Sequence, residues 1–219
     1  MSIVVMCCIQ LKKYMKPLEI ITKRLIQITY DEKLSHLSSC LSALPIIWDI
    51  YNKKQDNEVF ILSNGHAGLA LYCILEEKYG TDPVMLLHKH GIHPGKDLEN
   101  NIFCSTGSLG SGLPIAVGHA LSDKTKNTYC LISDGECAEG SIWESLAFIH
   151  KEKLTNLKVY VNVNGMGAYD YIDTENLINR LKSFLPDINI IESKPTEFEF
   201  ASGLLTHYYV LTEKDYKSL

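Results

Sequence analysis

Two short apolar runs, Thr128–Ser133 and Leu157–Val163, flank one helix-length segment at 141–152, and this alternation constrains the fold more than any other feature. Parallel strands need a crossover of about a dozen residues between them, and a helix is the usual one. The alternation extends in both directions. Residues 58–63 read as a buried strand ended by Asn64-Gly65, and 188–191 as a further strand. Helical spacing occupies 18–28, 40–51, 67–79 (stopped by Gly80), 112–121 and 174–184. Residues 81–105, punctuated by Pro83, Gly91, Pro94 and Gly95, read as a loop. The pattern predicts an α/β fold with a parallel sheet covered by helices on both faces.

With 219 residues, 46% of them hydrophobic, there is enough material for one substantial core and little for two. No linker is visible, so residues 1–219 are expected to form a single domain. A net charge of −5 offers no basic field for nucleic acid. The apolar start, Met1 to Ile9, lacks a basic leader and is followed by Lys12-Lys13; it is too short to span a bilayer, and no membrane association is expected. Seven cysteines without a C-x-x-C pair point to reduced thiols in a cytoplasmic protein.

Ligands of parallel sheets bind beyond the carboxyl ends of the strands. Asp134 follows one predicted strand and Asn164 the next, thirty positions on. Each dipeptide, Asp134-Gly135 or Asn164-Gly165, is an ordinary turn when taken alone. Placed side by side by one crossover, the carboxylate, the carboxamide and the backbone carbonyl of Met166 form a hard-oxygen set suited to Mg2+ (or Ca2+ or Mn2+), with positions left for phosphate oxygens. The helix starting near Ser141 can aim its amides at an anion. A second cluster, Thr106-Gly107-Ser108-Leu109-Gly110-Ser111-Gly112, lets the backbone approach a ligand closely; it lacks the lysine of a P-loop, and a surface loop is the plainer reading. Third, His36, His66 and His93 lie in turns or at element ends, where an imidazole is placed to donate to a phosphate or hydroxyl or to carry a proton. None has zinc-ligand spacing.

Together these segments resemble the N-terminal, diphosphate-binding part of transketolases, and more closely the separate N-terminal subunit of split transketolases. The resemblance rests on Ser35-His36-Leu37-Ser38-Ser39-Cys40-Leu41-Ser42, on Phe60-Ile61-Leu62-Ser63-Asn64-Gly65-His66-Ala67, on His93-Pro94-Gly95, on the glycine cluster, and on Asp134-Gly135-Glu136-Cys137-Ala138-Glu139-Gly140 with Trp143-Glu144. It implies a thiamine diphosphate-binding fold, with Asp134, Asn164 and Met166 on the metal. His66 would contact the diphosphate, Gly107 and Leu109 would line the aminopyrimidine and middle of the cofactor, and Gly135 and Glu136 would join the binding turn. His36 and His93 would face a ketose donor. Gly203-Leu204-Leu205-Thr206-His207-Tyr208 resembles the family's closing segment and makes His207 a further diphosphate and substrate contact. Glu139 matches an interface glutamate that links two cofactor sites.

The implied activity is transfer of a two-carbon ketol unit from a ketose to an aldose, on sugar or sugar-phosphate substrates. The pyrimidine-binding domain and its catalytic glutamate would come from a C-terminal subunit, in an α2β2 heterotetramer. Alternatives are a subunit of another thiamine diphosphate-dependent synthase, such as one resembling the deoxyxylulose phosphate enzyme, or a non-catalytic assembly subunit. Three departures from the family pattern stand out. Ser133 replaces a glycine, the chain is abbreviated after about residue 170, and Lys89 and His90 occupy the place of an expected arginine.

Overall fold

The apolar runs pair in one four-stranded parallel sheet, β1 (Val59–Leu62), β2 (Thr128–Ser133), β3 (Leu157–Val163) and β4 (Asn189–Glu192), in that spatial order. This computed structural model describes residues 3–167, 170–193 and 198–219, with the backbone alone for 3–16. Around the sheet lie α1 (Ile3–Asp31), α2 (Leu37–Lys53), α3 (Gly68–Tyr79), α4 (Pro83–His90), α5 (Gly112–Ser122), α6 (Gly140–Glu152), α7 (Thr174–Phe184) and α8 (Glu213–Tyr216).

Strand residues alternate between two cores, which is why the strands are apolar at nearly every position. Phe60, Leu62, Tyr129, Leu131 and Tyr160 pack with α1 to α4. Ile61, Cys130, Ile132, Val159, Val161 and Val163 pack with α5, α6 and α7 on the other face. The expected α/β architecture, covered on both sides, is what the chain adopts. No helix among the described residues is long and apolar enough to cross a membrane.

The predicted elements recur with small shifts at the ends, and β4 sits one residue later than 188–191. One expectation was wrong: the stretch 81–105 contains α4. Its start is a cap signal, because Asp82 accepts from the amide of Val84 (3.0 Å) and Pro83 occupies the first turn, where its missing N–H costs nothing. The first helix is longer than 18–28 and runs through Pro17. The 3-10 turn Gly203–His207 and the short α8 near the chain's end were not anticipated as elements.

Register puts the strand ends level. Ser133 pairs with Asn162, the amide of Asp134 donates to the carbonyl of Asn162 (3.0 Å), and the amide of Ser63 donates to the carbonyl of Leu131 (2.8 Å). The residues that follow β1, β2 and β3 therefore emerge side by side.

Candidate active site

A cleft of about 970 Å³ opens over these strand ends, between the start of α2, the glycine cluster, the turn after β3 and the Gly203–His207 turn. At its centre, the Asp134 carboxylate ties two strand ends together. Its Oδ1 accepts from the amide of Gly135 (3.0 Å), and its Oδ2 from the amides of Asn164 (2.8 Å) and Gly165 (2.7 Å). Asn164 Oδ1 accepts from the amide of Met166 (2.8 Å), which fixes the following turn. Burial pushes the Asp134 carboxyl up from its ordinary value, and the three amides oppose that rise.

The residues present fit a hard divalent cation. Asp134 Oδ1 and Asn164 Oδ1 each keep a second lone pair, and Met166 lines the same cleft. Among the described residues no group of three His, Cys, Asp or Glu is placed to hold a metal ion. A cation here would thus be held by one carboxylate and neutral oxygens, an environment for Mg2+ completed by a ligand's phosphates rather than a thiolate or imidazole cage.

Three histidines from distant segments pack against one another at the other side of the cleft. The ring centroids of His36 and His207 are 4.4 Å apart, those of His66 and His207 5.5 Å, and those of His36 and His66 5.7 Å. His36 has the left-handed backbone φ of 68°, and its amide donates to the carbonyl of His207 (3.0 Å), which draws the C-terminal segment into the site. Burial, reinforced by the neighbouring imidazoles, lowers the pKa of His36 to about 4 and of His66 to about 3; burial also lowers that of His207. Near neutrality all three are uncharged, so each ring offers one donor and one acceptor nitrogen.

His93 lines the cleft from the loop after α4, and its ring backs onto Gly107. Gly107 has φ 145°, and a Cβ there would lie 3.0 Å from that ring, so the turn accepts only glycine. Leu109 projects beside it, 37% exposed. Gly135 lines the cleft and Glu139 stands exposed at its rim. Glu136 is different: it is fully buried and is not among the lining residues. Ser133 does reach the cleft wall, but its hydroxyl accepts from the amide of Glu136 (3.3 Å). Lys89 and His90 both turn to Asp97 Oδ2, at 2.8 and 3.0 Å, and do not line the cleft.

Several lining residues escaped sequence reading. Asn64 is buried, and its Oδ1 has no hydrogen-bond partner among the described residues, which places an unmatched acceptor in the cleft wall. Its position inside the Ser63-to-Ala67 motif was the available signal. Asn162, at the cleft floor, donates to Ser42 Oγ (3.0 Å) and accepts from Ser193 Oγ (2.6 Å). Arg180, stacked over Trp143 at 5.1 Å, also lines the cleft; on a helix it reads simply as a solvated charge.

Fold and site together define a parallel α/β domain with a cleft lined by carboxylate, carboxamide and imidazole groups beyond its strand ends. The chain belongs to the family described as transketolase, thiamine diphosphate binding domain, whose model matches residues 49–194. It is 35% identical to the transketolases of Pongo abelii and Homo sapiens over 165 residues, 66% of this chain and 26% of each relative. The chain therefore spans about a quarter of the length of these relatives. It is also 34% identical over 159 residues to the protein named ferredoxin fas2 of Rhodococcoides fascians, covering 63% of this chain and 52% of that one. Among solved structures, the Leishmania mexicana transketolase superposes with a TM-score of 0.73 at 19% identity, over 93% of this chain and 40% of that one. The Campylobacter jejuni transketolase gives 0.62 at 19% identity, over 88% and 38%.

Proposed function

We propose that this chain is the N-terminal subunit of a split transketolase, forming one wall of an active site that moves a two-carbon ketol unit from a ketose to an aldose. The observation that carries this reading is the convergence of Asp134, Asn164, Met166, the Gly107 turn and the packed imidazoles on one cleft. Asp134, Asn164 and Met166 would hold Mg2+ (or Ca2+ or Mn2+) and, through it, the diphosphate of thiamine diphosphate. His66 and His207 would donate to the same anion, while Gly135 offers backbone beside it. Gly107 and Leu109 would support the middle and pyrimidine end of the cofactor. Bound thiamine diphosphate supplies the electron sink for carbon–carbon cleavage. His36, held neutral by burial, and His93 would orient the donor's hydroxyls and carry protons to and from them.

In this reading the whole chain is a single domain, shortened after about residue 170, acting in the cytoplasm. The pyrimidine-binding domain and its catalytic glutamate come from a partner chain in an α2β2 assembly, with Glu139 at the interface. Purified alone with thiamine diphosphate and Mg2+, the chain is expected to give no ketol transfer, and a polypeptide carrying the pyrimidine-binding domain should restore it. Efficient transfer by the chain alone would overturn the split arrangement.

One observation favours a second reading, a synthase with different substrates. Lys89 and His90 are engaged by Asp97, so the segment before His93 directs neither of them at a sugar phosphate. A substrate panel on the reconstituted pair decides between the two: transfer between pentose phosphates supports the transketolase.

A further inference from the structure

Glu136 lies two residues after Asp134, yet its buried carboxylate serves the walls of the cleft rather than its interior. Oε1 accepts from Ser63 Oγ (2.7 Å) and from the amide of Gly110 (2.9 Å), and Oε2 accepts from the amide of Ser133 (3.1 Å). These donors belong to three separate segments: the end of β1, the glycine cluster and the end of β2. All three partners donate, so the ionised carboxylate is the form that satisfies them together. Burial pushes its pKa up, and Ser63, Gly110 and Ser133 work against that rise.

Gly110 is gripped from its other side as well. Ser141 Oγ donates to its carbonyl (2.9 Å), and its φ of 76° is one that a side chain would strain. A Cβ at Gly110 would lie 2.5 Å from Ser141 Oγ and 2.7 Å from Glu139 Cβ. The same cluster is packed on the His66 segment, where a Cβ on Gly65 would come within 2.8 Å of the Gly107 amide nitrogen.

We infer that Glu136, together with Ser141, is a positioning residue that fixes the Gly107–Leu109 turn relative to His66 and Asp134, so that the turn is already in place to meet the middle and pyrimidine end of thiamine diphosphate. The inference rests on the cofactor reading under Proposed function. It separates the cleft into two parts: a diphosphate end made by the turns after β2 and β3, and a cofactor-body end held through Gly110.

Calorimetry on the full chain with two probes tests it. Pyrophosphate with Mg2+ reports the diphosphate end alone, and thiamine diphosphate with Mg2+ reports both. Glu136→Gln brings an NH2 group among three donors and breaks at least one contact. It is expected to weaken thiamine diphosphate roughly tenfold, the scale of one lost buried hydrogen bond. Pyrophosphate affinity should fall clearly less, by no more than about threefold, because Ser63 and Gly110, two of the three donors, lie outside the turns after β2 and β3. Ser141→Ala, at a half-buried site, removes the hydroxyl that donates to the Gly110 carbonyl and should move the two probes apart in the same direction, by about threefold. It decides the matter if Glu136→Gln does not fold. Unchanged thiamine diphosphate affinity in the variants overturns the inference, as does parallel loss of both probes at Ser141→Ala. Failure of the wild-type chain to bind either probe overturns the cofactor reading, and this inference with it.

Discussion

At the scale of single residues, Asp134 shows how a binding residue can also be a structural one. Its carboxylate holds the start of the turn after β3 by two amides while keeping a face toward the cleft. Asp134→Ala should therefore abolish Mg2+-dependent cofactor binding and also destabilise the fold by about 2 kcal/mol, because three amides lose their acceptor. Asp134→Asn keeps one acceptor oxygen; it should recover part of the stability in urea denaturation yet bind no better. Equal stability of all three proteins would contradict the hydrogen bonding described here. Asp134 and Asn164 were legible in the sequence because a strand end followed by Asp-Gly or Asn-Gly is a local signal. Asn64 was not: its interest lies in an oxygen that no group among the described residues satisfies. Glu136, expected in the binding turn with Asp134, has its side chain inside the protein, a direction that chain position cannot reveal.

At the scale of elements, the long helices and the central strands follow from periodicity, but α4 did not. Eight residues give barely two turns, too few for a period to stand out, and Pro83 reads equally as a loop breaker or a first-turn residue. The omission mattered for the site. Lys89 and His90 in the last turn of α4 grip Asp97, with Asn100 as a further donor, and the hydrogen bond from Lys89 above all holds that carboxyl well below its usual range. This grip closes the loop that carries His93. Asp82→Ala should remove the cap and cost about 1 kcal/mol in thermal or chemical unfolding. A change within error would mean that α4 is held by Leu86 and Leu87 in the core alone.

At the scale of the whole molecule, the packed imidazoles give the protein a pH signature. His36 and His66 have folded pKa values of about 4 and about 3 against an ordinary 6.5, so the folded state refuses protons that the unfolded chain accepts. Stability from this source is complete above about pH 6.5 and falls as the pH drops toward 4. Asp134 and Glu136, whose pKa values burial raises, act in the opposite sense over the acid part of that range. The informative quantity is thus a difference: His66→Asn should lose less stability between pH 7.5 and pH 5 than the wild-type chain, measured by urea midpoints. An identical loss would mean that His66 is not held neutral. The sequence by itself determined the order of the long helices and the strands, the parallel α/β class, and the placing of Asp134 and Asn164 at successive strand ends, since these follow from short-range periods and chain breakers. Only the tertiary structure decided that His36, His66 and His207 meet, that Lys89 and His90 are taken up by Asp97, and that Glu136 braces the cleft from within. Those outcomes depend on which distant segment faces each side chain, and a hydrogen bond or ring contact between remote segments leaves no periodic trace along the chain.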